Sequence, residues 1–206
     1  PPYNSYLTNE KKILGPPAVI IFLPAWELVG NVLGMINPMF MSAPSLIFKA
    51  AIQMFSSGEI YNDLYVSGLE FGWGYLLSVA VGVPFGIACG WYKKFAYIFD
   101  PFINAMNATP RVALLPLVII WLGIGILSKV GIIFLGAVFP ILINARDGVK
   151  TTPYNLLTAA RSFGASEWQI FKSVVLPSTL PFILTGLRLG VGRALNGVMV
   201  GELYAA

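Results

Sequence analysis

Apolar residues in this chain gather into runs about as long as a membrane crossing, separated by shorter polar stretches. A helix spanning a hydrocarbon core of roughly 30 Å needs about 20 mostly apolar residues, and five runs approach that length. The first extends from about Ile13 to Met35, is broken by Pro16, Pro17 and Pro24, and carries Glu27. The second covers Val66 to Trp91, and the third begins near Ala96 and ends near Gly125. A fourth runs from Ser128 to Asn144, and the last starts near Leu180 and continues to the end. Between the first two, Asn37 to Asp63 is polar and irregular and reads as an external loop with a short amphipathic helix over Ser45 to Phe55. Ala145 to Ser178 is a second polar excursion.

Within the second run, Gly74, Ser78, Gly82, Gly86 and Gly90 recur every fourth residue. At about 100° per residue this row stays close to one helix face, where small side chains let another backbone approach. Close helix packing and a smooth lining for a moving gate are both open from the spacing. The third run contains Pro101, Pro110 and Pro116, with Arg111 in its middle. Each proline removes a donor and obstructs the preceding turn, so the run predicts two helical pieces joined by irregular backbone. Such backbone persists at membrane depth only inside protein or against a wet cavity, which makes Asn104 to Pro116 a candidate pathway wall.

Composition sharpens this picture. With 57% hydrophobic and 11% charged residues and a mean hydropathy of +0.76, the chain cannot present a water-facing surface over 206 residues. It reads as an all-α polytopic membrane protein, a single transmembrane domain over residues 1–206 that is incomplete at both ends, starting at Pro1 and stopping at Ala206 within an apolar run. Lys11 and Lys12 resemble the charged leader of a signal peptide, but no small-x-small cleavage site follows, so the first run reads as a retained crossing. The net charge of +4 comes from basic residues scattered in ones and twos, which argues against nucleic acid. With no histidine and only Cys89, metal sites and thiol-pair chemistry are not expected, and no nucleophile stands beside a base, so no catalytic residue is assigned.

Lysine and arginine also predict orientation. A cytoplasmic N-terminus places Lys11, Lys12, Lys93, Lys94, Arg146, Lys150, Arg161 and Lys172 inside and only Lys49 and Lys129 outside. Inner loops favour basic residues, so residues 145–178 become a cytoplasmic loop.

That loop has its own grammar. Thr152 followed by Pro153 predicts an N-cap and a first helical proline, with helix over Tyr154 to Phe163 and Gly164 at its C-terminal cap. Ser166 and Gln169 have the spacing of a capping box, opening a second helix that should stop near Pro177. On these grounds the elbow is either a hairpin resting on lipid headgroups or a surface for a soluble partner.

Thr158-Ala159-Ala160, three residues, Gly164, nine residues, then Val174-Val175-Leu176-Pro177 resembles the cytoplasmic signature of membrane subunits of bacterial ATP-binding-cassette importers. The resemblance continues through Ser42-Ala43-Pro44-Ser45, the Gly82 to Gly90 run, Asp100-Pro101, Pro110, Leu114-Leu115-Pro116-Leu117, Trp121-Leu122-Gly123-Ile124-Gly125 and Phe139-Pro140. These segments look like the nitrate/sulfonate/taurine branch, from about residue 40 onward. Thr158 stands where the signature has Glu.

The resemblance implies a type I importer fold with about five helices present of an expected six. It also implies a permease subunit that carries small organic or inorganic anions across a bacterial inner membrane. Thr158, Ala159, Ala160, Phe163, Gly164, Ala165, Leu176 and Pro177 would couple it to an ATP-binding-cassette ATPase. In that picture Ala159, Ala160 and Gly164 make a thin helix for the partner's groove, Phe163, Trp168 and Phe171 anchor it, and Leu176-Pro177 turns the chain back into the membrane. Two ATPase copies, a second permease copy and an extracytoplasmic substrate-binding protein are the implied partners, along with membrane lipid. The two permeases, expected as a homodimer, would pair across the glycine faces. ATP and magnesium would be bound by the ATPase, since no phosphate-binding loop of the form G-x-x-x-x-G-K-[ST] occurs and no cofactor is expected in this chain.

A different class, an ion- or proton-coupled carrier acting alone, draws on the intramembrane ionisable residues Glu27, Glu70, Arg111, Arg188, Arg193 and Glu202. Asn104, Arg111, Arg193 and Glu202 are the candidate pathway residues under either reading. Arg111 and Arg193 could ease an anion through, or each could be a structural arginine bonded to carbonyls at a helix break.

Overall fold

The computed structural model describes residues 16–32 and 42–204, and every element among them is helical. Residues up to Leu64 and from Tyr65 onward form two compact units. Lys11, Lys12 and the polar stretch 37–41 lie outside the described residues, as do the ends of the first expected crossing.

In the first unit, α1 (residues 16–27) runs into a π-helical turn, Leu28–Val32. Helix α2 (Pro44–Ser57) starts with proline in its first turn, where a missing N–H costs nothing. The Glu27 carboxylate ties these pieces together. It accepts from the Ser45 backbone N–H at 3.0 Å, the Ser45 hydroxyl at 2.7 Å and the Asn31 amide at 2.7 Å. Gly58, at φ +80°, closes α2 in the left-handed region that glycine enters without strain.

Helix α3 (Glu59–Trp91) follows immediately, so the short helix expected over Ser45 to Phe55 is present as α2, and the stretch from Glu59 to Asp63, expected as loop, is helix as well. From Pro44 to Asp63 the described chain is helix with one break. Polar composition suggested a loop, but a proline start, a glycine stop and Glu59 in the next first turn are helix punctuation.

In the second unit, α4 (Lys93–Ala108), a 3₁₀ turn (Arg111–Leu114) and α5 (Leu115–Leu122) follow α3. Pro101 lies inside α4 and Pro116 in the first turn of α5, so only the Thr109–Pro110 junction breaks the helix, less than the expected stretch from Asn104 to Pro116. The two pieces bend by 96° there. Helix α6 (Ile126–Lys150) continues six residues past the expected end at Asn144.

After α7 (Tyr154–Ser162) and the short α8 (Glu167–Ile170), a π-helical turn, Phe171–Val175, leads directly into α9 (Leu176–Tyr204). Pro177 therefore does not end a helix or redirect the chain, contrary to the sequence expectation. The Leu176 N–H reaches back five residues to the Phe171 carbonyl, and this wider turn accommodates the proline that a regular α-turn would reject. Among the described residues, three helical runs, Glu59–Trp91, Ile126–Lys150 and Glu167–Tyr204, are long and apolar enough to cross a membrane, and the bent pair α4–α5 is either a broken fourth span or a re-entrant loop.

Helix α6 is the axis of the second unit. A Cβ added at Gly74 or Gly90 on α3 would lie 2.5 Å from Ile133 or Val149 of α6, and Ser78 donates to the α6 carbonyl of Phe134 at 3.1 Å. Gly82 and Gly86 meet the same helix at Ile141 and Leu142. The glycine face is thus occupied by α6 within the chain, whereas the expected pairing of two copies across it needs that face open. On an adjoining face of α6, α9 presents Gly186, Gly190, Ala194, Gly197 and Gly201, all buried, and Tyr75 of α3 donates to the Leu187 carbonyl of α9 at 3.0 Å. The Gly197 position lies 2.9 Å from the Ile133 Cα by the same measure. Ile133, Ala137, Ile141 and Ala194 form the centre of this sandwich.

Candidate functional site

Two regions of the second unit hold the residues with functional potential. The first is the elbow between α6 and α9. Its N-cap position is Pro153, not Thr152. The Thr152 side chain instead meets the Ser178 hydroxyl at 3.0 Å, tying the root of α7 to the start of α9. At the other end of α7, Ala165 N–H bonds the Ala160 carbonyl at 3.1 Å and Gly164 N–H the Arg161 carbonyl at 2.9 Å. That pair of bonds is a Schellman closure, and it needs Gly164 at φ +78°. Ser166 then caps α8 reciprocally. Its hydroxyl accepts from Gln169 N–H at 3.3 Å, while the Gln169 amide oxygen accepts from Ser166 N–H at 2.8 Å.

Arg161 braces the turn by donating to both Glu167 oxygens, at 3.1 and 3.4 Å, and this partner holds its guanidinium still further above the usual arginine range. Below it, Val149, Ile170 and Val175 form a buried cluster against which Ala160, Ala165, Phe171 and Trp91 pack. Phe171 lies between Trp91 and Trp168, with ring centroids at 5.3 and 5.6 Å. The elbow is therefore fixed to the ends of α3, α6 and α9.

Its outward residues are different in kind. Thr158 and Ala159 are exposed, Trp168 is exposed, and Phe163 is 91% exposed. Of the expected coupling residues, Ala160 and Ala165 face the chain's own cluster, so their small size serves internal packing. Leu176 and Pro177 belong to α9.

The second region is a cavity of about 490 Å³ at the α4–α5 break. Asn107, Thr109 and Arg111 line it from one side and Arg193 and Asn196 from α9. The buried Arg111 Nε has no hydrogen-bond partner among the described residues, and one of its terminal nitrogens sits 3.4 Å from the Asn107 side-chain oxygen. Among the described residues neither arginine pairs with a carboxylate. The reading of Arg111 as bonded to carbonyls at the break is not what the geometry gives.

Of the four candidate pathway residues, only Arg111 and Arg193 come together. Asn104 is exposed on α4 and does not line the cavity, and Glu202 accepts a hydrogen bond from the Ser67 hydroxyl. Asn107 falls within the expected wall from Asn104 to Pro116 but was not singled out, and Asn196 was missed in the sequence. Their only signal was position, one on each flank of an arginine in an apolar run.

Charged groups also sort along α6. Near its C-terminal end, Asp100 of α4 accepts from Arg146 at 2.8 Å and Lys150 at 3.3 Å. Seventeen residues earlier, about 26 Å along the axis, Lys129 approaches Glu70 of α3 at 3.4 Å. The basic residues expected on one side of the membrane, Lys93, Arg146, Lys150 and Arg161, thus cluster at the elbow end, with Lys129 at the other.

Comparison with known proteins decides what this arrangement is. Residues 82–206 match the family of binding-protein-dependent transport system inner membrane components. The taurine transport system permease protein of Escherichia coli is 35% identical over 191 residues, covering 90% of this chain and 69% of the relative. The formylaminopyrimidine transport permease protein of Halalkalibacterium halodurans is 30% identical over 187 residues, covering 91% and 74%. The chain belongs to this permease family. It is the multi-pass membrane subunit of an ATP-binding-cassette importer, working with an ATPase and a substrate-binding protein, and is a transport subunit, not an enzyme. For the permease, an elbow anchored at its root and apolar at its tip joins α6 to α9, the two helices that carry most of the unit's packing.

Proposed function

We propose that this permease moves a small anion through the cavity at the α4–α5 break, driven by an ATPase that grips the outward face of the elbow. The carrying observation is the pair Arg111 and Arg193 on one cavity with no carboxylate opposite. Arg111 is half-buried and Arg193 exposed on the cavity wall, and an anionic solute would offset these two neighbouring positive charges. A taurine-type sulfonate fits two guanidinium groups backed by the Asn107 and Asn196 amides. One relative is named for formylaminopyrimidine, so a heterocyclic solute is the second reading, favoured by the amides alone.

The basic residues at the elbow end support a cytoplasmic elbow and a cytoplasmic N-terminus in a bacterial inner membrane. Thr158, Ala159 and Phe163 supply the ATPase contact, with Gly164 setting the turn. Two such permeases, each on its own ATPase copy, complete the assembly, and ATP and magnesium stay with the ATPase. Because Gly74 to Gly90 are spent on α6, the second permease meets another face.

Uptake by proteoliposomes holding the whole assembly tests this. ATP should drive accumulation of a small sulfonate, and Arg193→Gln should reduce it about tenfold, the cost of one charge-assisted contact, with assembly unchanged. Uptake driven by a proton gradient and indifferent to ATP would instead support a secondary carrier. Equal sulfonate uptake in wild type and variant would remove the arginine pair from the pathway.

A further inference from the structure

A cavity of about 1320 Å³ lies away from the arginine pair, between the ends of α3 and α6, the start of α4 and the elbow. This exceeds the roughly 300–1,000 Å³ of ordinary small-molecule clefts. Its lining changes character along one direction. Val83, Pro84, Ile87 and Ala88 of α3 form an apolar wall inside the candidate membrane span. From Val83 to Trp91, α3 advances about 12 Å, after which the lining becomes aromatic and basic. Tyr92, Tyr97, Tyr154 and Trp168 supply amphipathic rings of the kind that settle at the headgroup level, and Lys93, Lys150 and Arg161 supply charge.

Three cations face two carboxylates there. Asp100 is held closely by Arg146 and only at 3.3 Å by Lys150, while Glu167 is occupied by Arg161. Lys93 is exposed and has no acidic partner among the described residues. The lining also excludes Thr158, Ala159 and Phe163, the residues assigned above to the ATPase. An acyl-deep wall, an aromatic belt and a net positive rim are the chemistry of an anionic phospholipid, which a zwitterionic lipid or a soluble anion would match at only one end.

We propose that this groove is a specific site for an anionic phospholipid, its headgroup phosphate at Lys93 and Lys150 and an acyl chain along Val83, Pro84 and Ile87. A lipid seated there touches α3, α4 and the elbow root together, so leaflet composition would bias how the elbow sits. This extends beyond the transport reading and does not depend on which solute moves.

The test is native mass spectrometry of the permease–ATPase assembly released from micelles with equal phosphatidylglycerol and phosphatidylcholine. Wild type should retain phosphatidylglycerol preferentially. Lys93→Glu, at an exposed position, should cut that retention about fivefold or more, as expected for reversing one charge beside an anionic headgroup. Ala88→Trp, which fills the apolar wall, should lower it without touching the charges. Unchanged retention in Lys93→Glu overturns the proposal even if Ala88→Trp fails to assemble. Release of the bound lipid by millimolar inorganic phosphate would assign the rim to a soluble anion, and cross-linking of Tyr97→Cys to the ATPase would assign the groove to protein. Either outcome overturns the lipid site while leaving the transport reading intact.

Discussion

The α3–α6–α9 sandwich and the elbow sit at opposite extremes of side-chain economy. In the sandwich, backbone meets backbone. Glycines on both outer helices let α6 approach closely, and the buried side chains are mostly Ile, Ala and Ser. In the elbow, small residues face inward at Ala160 and Ala165, while the most exposed ring, Phe163, points away from the chain. Lipid offers apolar side chains little reward for leaving it, so the sandwich gains cohesion from contact area that only small residues allow. Helix α7 of the elbow is not part of any candidate span, and its Phe163 is left 91% exposed by its own chain. One region covers its own apolar surface, and the other leaves an aromatic ring uncovered, the face assigned above to the ATPase by proposal.

Substitutions can break this contrast at measurable points. The largest effect is expected at Glu70, 1% exposed and facing Lys129 at 3.4 Å. Glu70→Leu leaves the lysine without its counter-ion and should cost about 3–5 kcal/mol, read as a fall in detergent-solubilised Tm. A paired Glu70→Gln, Lys129→Gln variant should recover much of it, and a single variant as stable as wild type would remove the pair from the account. Next comes Gly86→Leu, which drives a side chain into the Leu142 backbone and should cost about 3 kcal/mol and deplete the protein from membranes. Gly72→Leu, two residues before Gly74 and so about 200° around the helix with open space beside it, should be tolerated, and equal damage from both would contradict the assigned face.

At the elbow the expectation reverses. Phe163→Ala should leave Tm unchanged yet weaken ATPase binding by about 2 kcal/mol, roughly thirtyfold. A fall in Tm instead would show that Phe163 packs within its own chain. The smallest effect is expected at Ser166→Ala, about 1 kcal/mol of local stability from a lost cap, seen as faster amide exchange over α8. Ser166→Asp should restore protection.

Much of this was legible in the residues themselves, but unevenly. The four-residue glycine repeat identified the buried face of α3 and could not name its neighbour, because periodicity fixes a direction on one helix and nothing about which helix lies there. The matching row on α9 escaped notice because Ala194 stands within it, its four-residue spacing shortens to three before Gly197, and exposed Gly192 interrupts it. Pro110 marked the bend correctly, since a missing donor and a ring clash act locally. Pro177 misled for the same reason, because a π turn one step earlier absorbs the clash and no local rule anticipates it. Gly164 and the Ser166–Gln169 box were readable because caps are short-range hydrogen-bonding motifs. Arg111 and Arg193 were picked out singly, yet their common cavity depends on a 96° bend whose direction the sequence does not carry.

The central claim is that the outward face of the elbow is held by the ATPase, and cysteine cross-linking within the intact assembly tests it most directly. Native Cys89 is buried, so background should be low. Ala159→Cys and Phe163→Cys should each cross-link to the ATPase in high yield, while Trp73→Cys, exposed on the apolar flank of α3, should give none. Absence of cross-links at both elbow positions in an assembly that still transports would contradict the account.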